Sequence, residues 1–455
     1  MHSTQRPTRR AEIRALTGLR LVAALWVVAY HLGTGLQSSV GPAVEPLMPV
    51  VRAGWLGVDL FFVLSGFVMA LTYLDTMGPR FGWRRSGVFL WARLARVWPL
   101  WVLLTLLFSG WLLISDRGLA GPPGHQRVVE PLALLEQLFM VQMWHRDEVW
   151  GSTFVLAGWS LSVEMLAYVC FPLLVLVLWR LRRLPVTLLA AGSVAAMVPL
   201  AYLAYRTGAE PEALPWTLRI AGAFVSGGLV CLAVRRLEGS SAALRWSPLV
   251  AALAVAHVVF VCLWAATRAQ HQPGHYAGVA TMLFPVLVGA LALAPRGLAT
   301  LLSGDTAVLG GRISFALYLV HGCVFEIADD VAHWVRPLNP GTPLWALVQP
   351  GLVLASLLLA WVLFRFVEEP ARGWMRRIGP SSGARRGDRP VAAAGTGGGT
   401  VALPLQRPVA RPVAAPPHPH RRPATAPRAA AVRAAAVAAR DLRPPLADRR
   451  SAVGG

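Results

Sequence analysis

The sequence predicts an all-α integral membrane protein of about ten transmembrane helices, followed by a disordered basic tail. Three observations carry that expectation. Hydrophobic residues make up 55% of the 455 positions and charged residues only 14%, with a mean hydropathy of +0.53, a balance typical of polytopic membrane chains. Ten apolar runs reach the length of about 20 residues that a bilayer crossing needs. Arginine density alternates between successive loops, as it does when loops face opposite sides of a membrane.

In chain order the runs lie at roughly 16–36, 54–74, 97–115, 157–179, 184–205, 214–234, 246–267, 278–295, 308–328 and 344–367. A shorter run at 132–144 reads as an interfacial or re-entrant piece. The first run is too long for the apolar core of a signal peptide and lacks a small-residue cleavage site, so it is expected to remain as span 1. Seventeen arginines, from Arg6 to Arg312, fall on the N-terminal side of the spans, against seven, from Arg52 to Arg336, on the other. That bias places both termini in the cytoplasm. The absence of lysine and the abundance of Ala, Gly and Pro suit a GC-rich bacterial genome, hence a bacterial plasma membrane.

The chain divides into an N-terminal cytoplasmic segment (1–15), a membrane domain (16–374) and a tail (380–455). The tail holds thirteen Arg and three Asp, a large part of the net charge of +21. Its Pro-, Ala- and Gly-rich composition without apolar periodicity predicts disorder. Beside a bilayer, such a tail suits anionic lipid headgroups, and nucleic acid is not an expected partner. Cys170, Cys231, Cys262 and Cys323 stand in apolar stretches without metal-ligand spacing, so neither a zinc site nor a disulfide framework is expected. No P-loop, dinucleotide-binding glycine pattern or internal repeat is present.

Function concentrates in the ionisable residues that the spans retain. Arg20 lies inside span 1, where an arginine costs on the order of 3 kcal/mol on insertion scales. His31 follows eleven residues later, about three turns plus 20° around the helix and about 16 Å along it, so both share one stripe. Depth counted from the span ends sorts the other polar residues into two layers. Arg20, Arg93, Arg96, Arg312, Arg365 and Glu368 form an inner, cationic layer. His31, Asp59, Glu164 and His321 fall in the outer half.

The inner layer suits a polyphosphate, because guanidinium stays charged and pairs bidentately with phosphate. The outer layer suits general-base activation of a hydroxyl, with a carboxylate (Glu164 first, Asp59 second) orienting His31. A phosphorylated ligand with an arm of about 15 Å bridges the two; a coenzyme A thioester has that shape. Taken singly, these residues also have structural readings. Arg93 and Arg96 serve equally as topology determinants. Asp59, among Gly54, Gly57 and Gly66, suits a clamp between close helices. Glu164 suits a buried ion pair, and Glu368 a partner for Arg365 or Arg372.

Six motifs in order resemble the acyltransferase-3 family of bacterial membrane O-acyltransferases. They are Leu16-Thr-Gly-Leu-Arg20 through Tyr30-His31; Gly57-Val-Asp-Leu-Phe-Phe-Val-Leu-Ser-Gly-Phe67; Arg93-Leu-Ala-Arg96 before Pro99; Trp159-Ser-Leu-Ser-Val-Glu164; Ser314 through His321; and Phe366-Val-Glu-Glu-Pro370. The resemblance covers Leu16 to about Trp374. It implies acyl-CoA, chiefly acetyl-CoA, as donor substrate with no tightly bound cofactor and no metal. It also implies transfer to a hydroxyl of a glycan, a lipid-linked sugar or a secondary metabolite such as a macrolide. Arg20 and His31 are then the essential pair, Arg93 and Arg96 help hold the donor, and Glu164 belongs to the reaction chamber. His321, Glu368, Arg312 and Tyr168 are supporting candidates. Met165 and Leu166 depart from the polar residues many members carry there and leave Tyr168 as the match. No hydrolase-like second domain is expected after span 10.

Two other classes compete. A proton-coupled transporter or flippase also uses intramembrane His, Asp and Glu, although transporters commonly carry repeats that this chain lacks. A receptor or scaffold acting through the tail is the second. Removal of residues 380–455 separates that class from an enzyme: acyl transfer is expected to persist with little loss, and its abolition would contradict the enzymatic reading.

Overall fold

The computed structural model describes residues 12–115, 129–146, 153–208, 214–272, 274–335 and 342–380. The tail expected to be disordered lies outside the described residues. Ten helical segments are long and apolar enough to cross a membrane, and no strand occurs among the described residues. The first three are α1 (Arg14–Val40, broken at Gly33), α2 (Leu56–Met77) and α3 (Trp83–Ile114). The short α4 (Pro131–Leu138) does not span, and α5 (Gly158–Leu181) is the fourth crossing. The fifth is split into α6 (Val186–Ala195) and α7 (Val198–Thr207). Next come α8 (Trp216–Leu237), α9 (Ser241–His271) and α10 (Phe284–Leu293), which a 3₁₀ stretch at Tyr276–Leu283 precedes. Finally α11 (Asp305–Trp334) and α12 (Pro343–Leu363) lead through a π-helical segment, Phe364–Glu368, into α13 (Glu369–Ile378).

One boundary differs from the sequence expectation, and the short 132–144 piece is non-spanning as expected. Helix α3 starts at Trp83, well before the apolar run near 97, because its first turns are amphipathic: Ser86 and Phe89 are buried while Arg84 and Arg85 are exposed. Arg93 and Arg96 therefore lie within α3, two to four turns from its start. The 132–144 piece folds back on the bundle instead of crossing it. Met140 takes a left-handed φ of 58°, Gln142 donates to the Gly158 carbonyl (3.0 Å) and the Trp144 indole donates to the Ser162 carbonyl (3.0 Å). It caps α5, so that helix begins inside the bundle.

Helices approach closely where glycine permits. A Cβ at Gly66 of α2 would lie 2.2 Å from the Phe224 carbonyl oxygen of α8, and one at Gly227 would lie 2.1 Å from that of Val63. Small-residue contacts of this kind are how helices associate when lipid removes the hydrophobic drive. Toward the other end of the same pair, Arg219 of α8 clamps Asp59 of α2 with two parallel bonds, Nε to Oδ1 at 3.0 Å and Nη2 to Oδ2 at 2.9 Å. Both residues are buried, at 2% and 0% exposure. The guanidinium also lies against the Trp55 and Trp159 rings, at 5.4 and 4.9 Å from their centroids.

Where α1 begins, Arg14 pairs with Asp305, Arg312 with Glu12 and Arg235 with Asp75, joining the ends of α1, α11, α2 and α8 at one face, the N-terminal face. Helices α9 and α12 are peripheral and expose Leu249, Leu253, Phe260, Leu347, Leu354 and Leu358, the pattern of lipid-facing surface.

Breaking a buried pair leaves one uncompensated charge, at a cost of about 3–5 kcal/mol. Asp59→Ala and Arg219→Leu are each expected to lower Tm and the yield of monodisperse protein in detergent. Parental stability in both would contradict the clamp.

Candidate active site

One cavity of about 850 Å³ runs through the bundle between α1, α2, α3, α5 and α11. Its lining on α2 extends from Thr76 to Val58, eighteen residues or about 27 Å of helix. At the N-terminal face the wall carries Glu12, Thr17, Thr72, Asp75 and Thr76. Arg20, Arg93, Arg96, Glu164 and Tyr168 occupy the middle. Val58, Phe61, Ser160 and Tyr318 close the far end.

The middle layer is electrostatically incomplete. Arg20 and Arg96 are half-buried and have no hydrogen bond or ion pair among the described residues, while Arg93 donates only to the Tyr73 hydroxyl (3.1 Å) and leaves its buried Nε unpartnered. Glu164 does not neutralise them at bonding distance: its Oε1 accepts from Ser65 and from Tyr168, each at 2.6 Å. Glu368 lies behind the cluster, buried, with electrostatic neighbours Arg96, Arg372 and Arg20. Neither of its carboxylate oxygens has a hydrogen-bond partner, so the expected pairing with Arg365 or Arg372 is not formed. Arg365 is exposed and does not line the cavity. Three guanidinium groups facing a cavity with so little direct compensation make a site for a multiply charged anion.

At the mouth, Arg312 donates to Glu12 (3.0 Å), which also accepts from Thr17 (2.8 Å). Partial burial pushes the Glu12 carboxyl up, but the Thr17 hydroxyl and the Arg312 and Arg14 guanidiniums outweigh it and hold the group below its ordinary value.

The carboxylates expected at His31 are not there. Asp59 is consumed by Arg219, and Glu164 lines the cavity with Arg20, Arg93 and Arg96, its Oε1 taken by Ser65 and Tyr168. The partner of His31 is a second imidazole. His31 Nδ1 lies 3.0 Å from the Val27 carbonyl oxygen and 3.2 Å from His321 Nε2, and the ring centroids are 5.0 Å apart. His321 Nδ1 lies 3.1 Å from the Leu317 carbonyl oxygen.

These contacts assign the tautomers. A carbonyl only accepts, so His321 carries its hydrogen on Nδ1 and presents a lone pair at Nε2. His31 then donates from Nδ1, leaving its own Nε2 lone pair free. The ring is exposed, which suits a base with an open acceptor position. His31 and His321 lie beyond the cavity lining, which ends at Tyr318, one helical turn before His321.

Arg219, the partner of Asp59, has no place in the two sequence-derived layers, although an arginine inside the 214–234 run is the same signal that singles out Arg20. Ser65, Ser160 and Phe61 gain their roles only from the three-dimensional setting, because their residue types carry no signal in the chain.

In a sample with ¹⁵N-labelled histidine, His31 is expected to hold the Nδ1–H form, and to keep it in His321→Ala, where the Val27 carbonyl still accepts from Nδ1. A His31 ring protonated on Nε2 in the otherwise neutral wild type would contradict the assignment.

The chain matches a family described as an acyltransferase domain over residues 13–365. It is similar to Acyltransferase MdmB of Streptomyces mycarofaciens, at 32% identity over 420 residues covering 85% of this chain and 96% of that protein. It is also similar to Peptidoglycan O-acetyltransferase OatA of Listeria monocytogenes, at 24% identity over 80% of this chain, and spans 56% of that relative's length. No solved structure matches.

Proposed function

We infer the function from the premise that the chain belongs to this acyltransferase family: it is a multi-pass membrane O-acyltransferase that moves an acyl group from acyl-CoA to an acceptor hydroxyl. The observation that carries the donor is the set of three poorly compensated arginines in a long cavity. It offers fixed positive charge for a phosphorylated head in the middle of a cavity about 27 Å long, with the wall beyond it for an arm. Arg20, Arg93 and Arg96 hold the phosphates, and Glu368 keeps Arg96 and Arg20 turned toward them. Glu164 is a positioning residue that fixes Ser65 and Tyr168 against the arm. The N-terminal face, rich in arginine, is the cytoplasmic one, so the donor enters from the cytoplasm of a bacterial cell.

The arm brings the thioester toward His31. Its free Nε2 takes the proton of the acceptor hydroxyl as that oxygen attacks the thioester carbonyl. The resulting imidazolium donates from Nδ1 to His321, which spreads the new charge over two rings. The tetrahedral intermediate then releases CoA thiolate, and the proton on His31 restores the thiol. The acceptor is a hydroxylated glycan, a lipid-linked sugar or a macrolide-like metabolite. A relative named as a peptidoglycan O-acetyltransferase supports a glycan and an acetyl group, whereas the relative matched over nearly its whole length carries no acceptor in its name.

Purified protein in lipid vesicles with labelled acetyl-CoA and a panel of hydroxylated acceptors is expected to release one CoA thiol per ester formed. His31→Ala is expected to lower kcat by about 10²–10⁴, the usual worth of a general base. Label crossing the bilayer with no thiol release would favour a transporter and contradict the enzymatic reading.

A further inference from the structure

The cavity lining stops one helical turn short of the histidine pair. Phe61 of α2 and Tyr318 of α11 both line its far end, with ring centroids 5.8 Å apart and planes at 59°. That separation is a contact distance for aromatic rings and leaves no open channel between them. Tyr318 is held in place from the other side, because its hydroxyl and that of Ser160 on α5 lie 2.7 Å apart. Its ring centroid is 6.0 Å from that of His321, which in turn touches His31. The order along the path is therefore arginine layer, Phe61–Tyr318 contact, histidine pair.

We propose that Phe61 and Tyr318 form an aperture that selects the acyl group by size, admitting acetyl to His31 and retarding longer chains. The proposal rests on the acyl-CoA reading and deepens it. Of the two rings, Phe61 is the movable one: it has no polar atom to anchor it, whereas moving Tyr318 breaks its bond to Ser160. A two-carbon acyl group needs only a small displacement of Phe61. Each further methylene has to be accommodated between two rings already in contact, and a hydrophobic pocket discriminates about tenfold or more per methylene.

The test is kcat/KM for acetyl-, butyryl- and hexanoyl-CoA in the wild type, Phe61→Ala and the milder Phe61→Leu. Ser160→Ala, which frees the Tyr318 hydroxyl, completes the set. The wild type is expected to prefer acetyl. The butyryl-to-acetyl ratio is expected to rise about tenfold or more in Phe61→Ala and by a smaller factor in Phe61→Leu and Ser160→Ala. Wild-type turnover of acetyl-CoA, with a ratio in both Phe61 variants within twofold of wild type, would overturn the aperture and leave the acyltransferase reading standing. Failure of the wild type to turn over a thioester of any length would overturn both.

Discussion

Three arginine side chains are directed at a single cavity inside an apolar bundle, and most of the surrounding architecture is a consequence of keeping them there. Each costs on the order of 3 kcal/mol to bury in a membrane, and together they repel. Among the described residues no carboxylate neutralises them at bonding distance. Helices α1 and α3 have to be held against that repulsion by contacts elsewhere. Gly18 and Gly311 bring α1 against its neighbours so tightly that a Cβ would fall 2.0 Å from the Leu302 oxygen and 1.8 Å from the Thr17 oxygen. Trp91 of α3 donates to the Met375 carbonyl of α13 at 2.7 Å, tying the third span to the helix that follows the tenth. Glu164 and Glu368 supply negative potential from behind without occupying the guanidinium donors. The result is a cationic layer held open for a ligand.

The bundle separates two chemistries along one axis. The arginines occupy the middle of the cavity and the histidine pair sits beyond its end, so in the proposed reaction neither polar set needs to tolerate the other's environment. A base placed beside three cations is harder to protonate than one with a neutral imidazole neighbour, because like charge disfavours the cationic form. Phe61 and Tyr318 provide the apolar partition. The Asp59–Arg219 clamp and the Gly66 and Gly227 contacts fix α2 against α8, which sets where Phe61 and Ser65 stand.

Much of this is legible from residues alone, for identifiable reasons. Hydropathy counts give ten spans because lipid imposes a length on every crossing, and the 3.6-residue period puts Arg20 and His31 on one stripe. Depth reasoning works for Arg20, whose helix begins at the face, and brings His321 to the level of His31. Glu164 stands with the arginines instead of beside His31, because α5 brings it to Ser65 of α2 and to its own Tyr168, contacts that a span's hydropathy does not record. Depth reasoning fails for Asp59 because a carboxylate's role depends on which cation lies opposite, and Arg219 is 160 residues away. The pairing of His31 with His321 is equally hidden, since it is set by the register of α1 against α11.

The most direct measurement of the central claim is binding of a non-transferable acyl-CoA thioether to the wild type, Arg20→Ala and His31→Ala. If recognition and catalysis occupy separate layers, His31→Ala binds as tightly as the wild type, while Arg20→Ala loses about tenfold or more, the worth of one charge-assisted contact. Equal loss in both variants would mean that histidine and arginine serve a single site, which contradicts a division into two layers. Undiminished binding in Arg20→Ala would remove the arginine layer from donor recognition altogether.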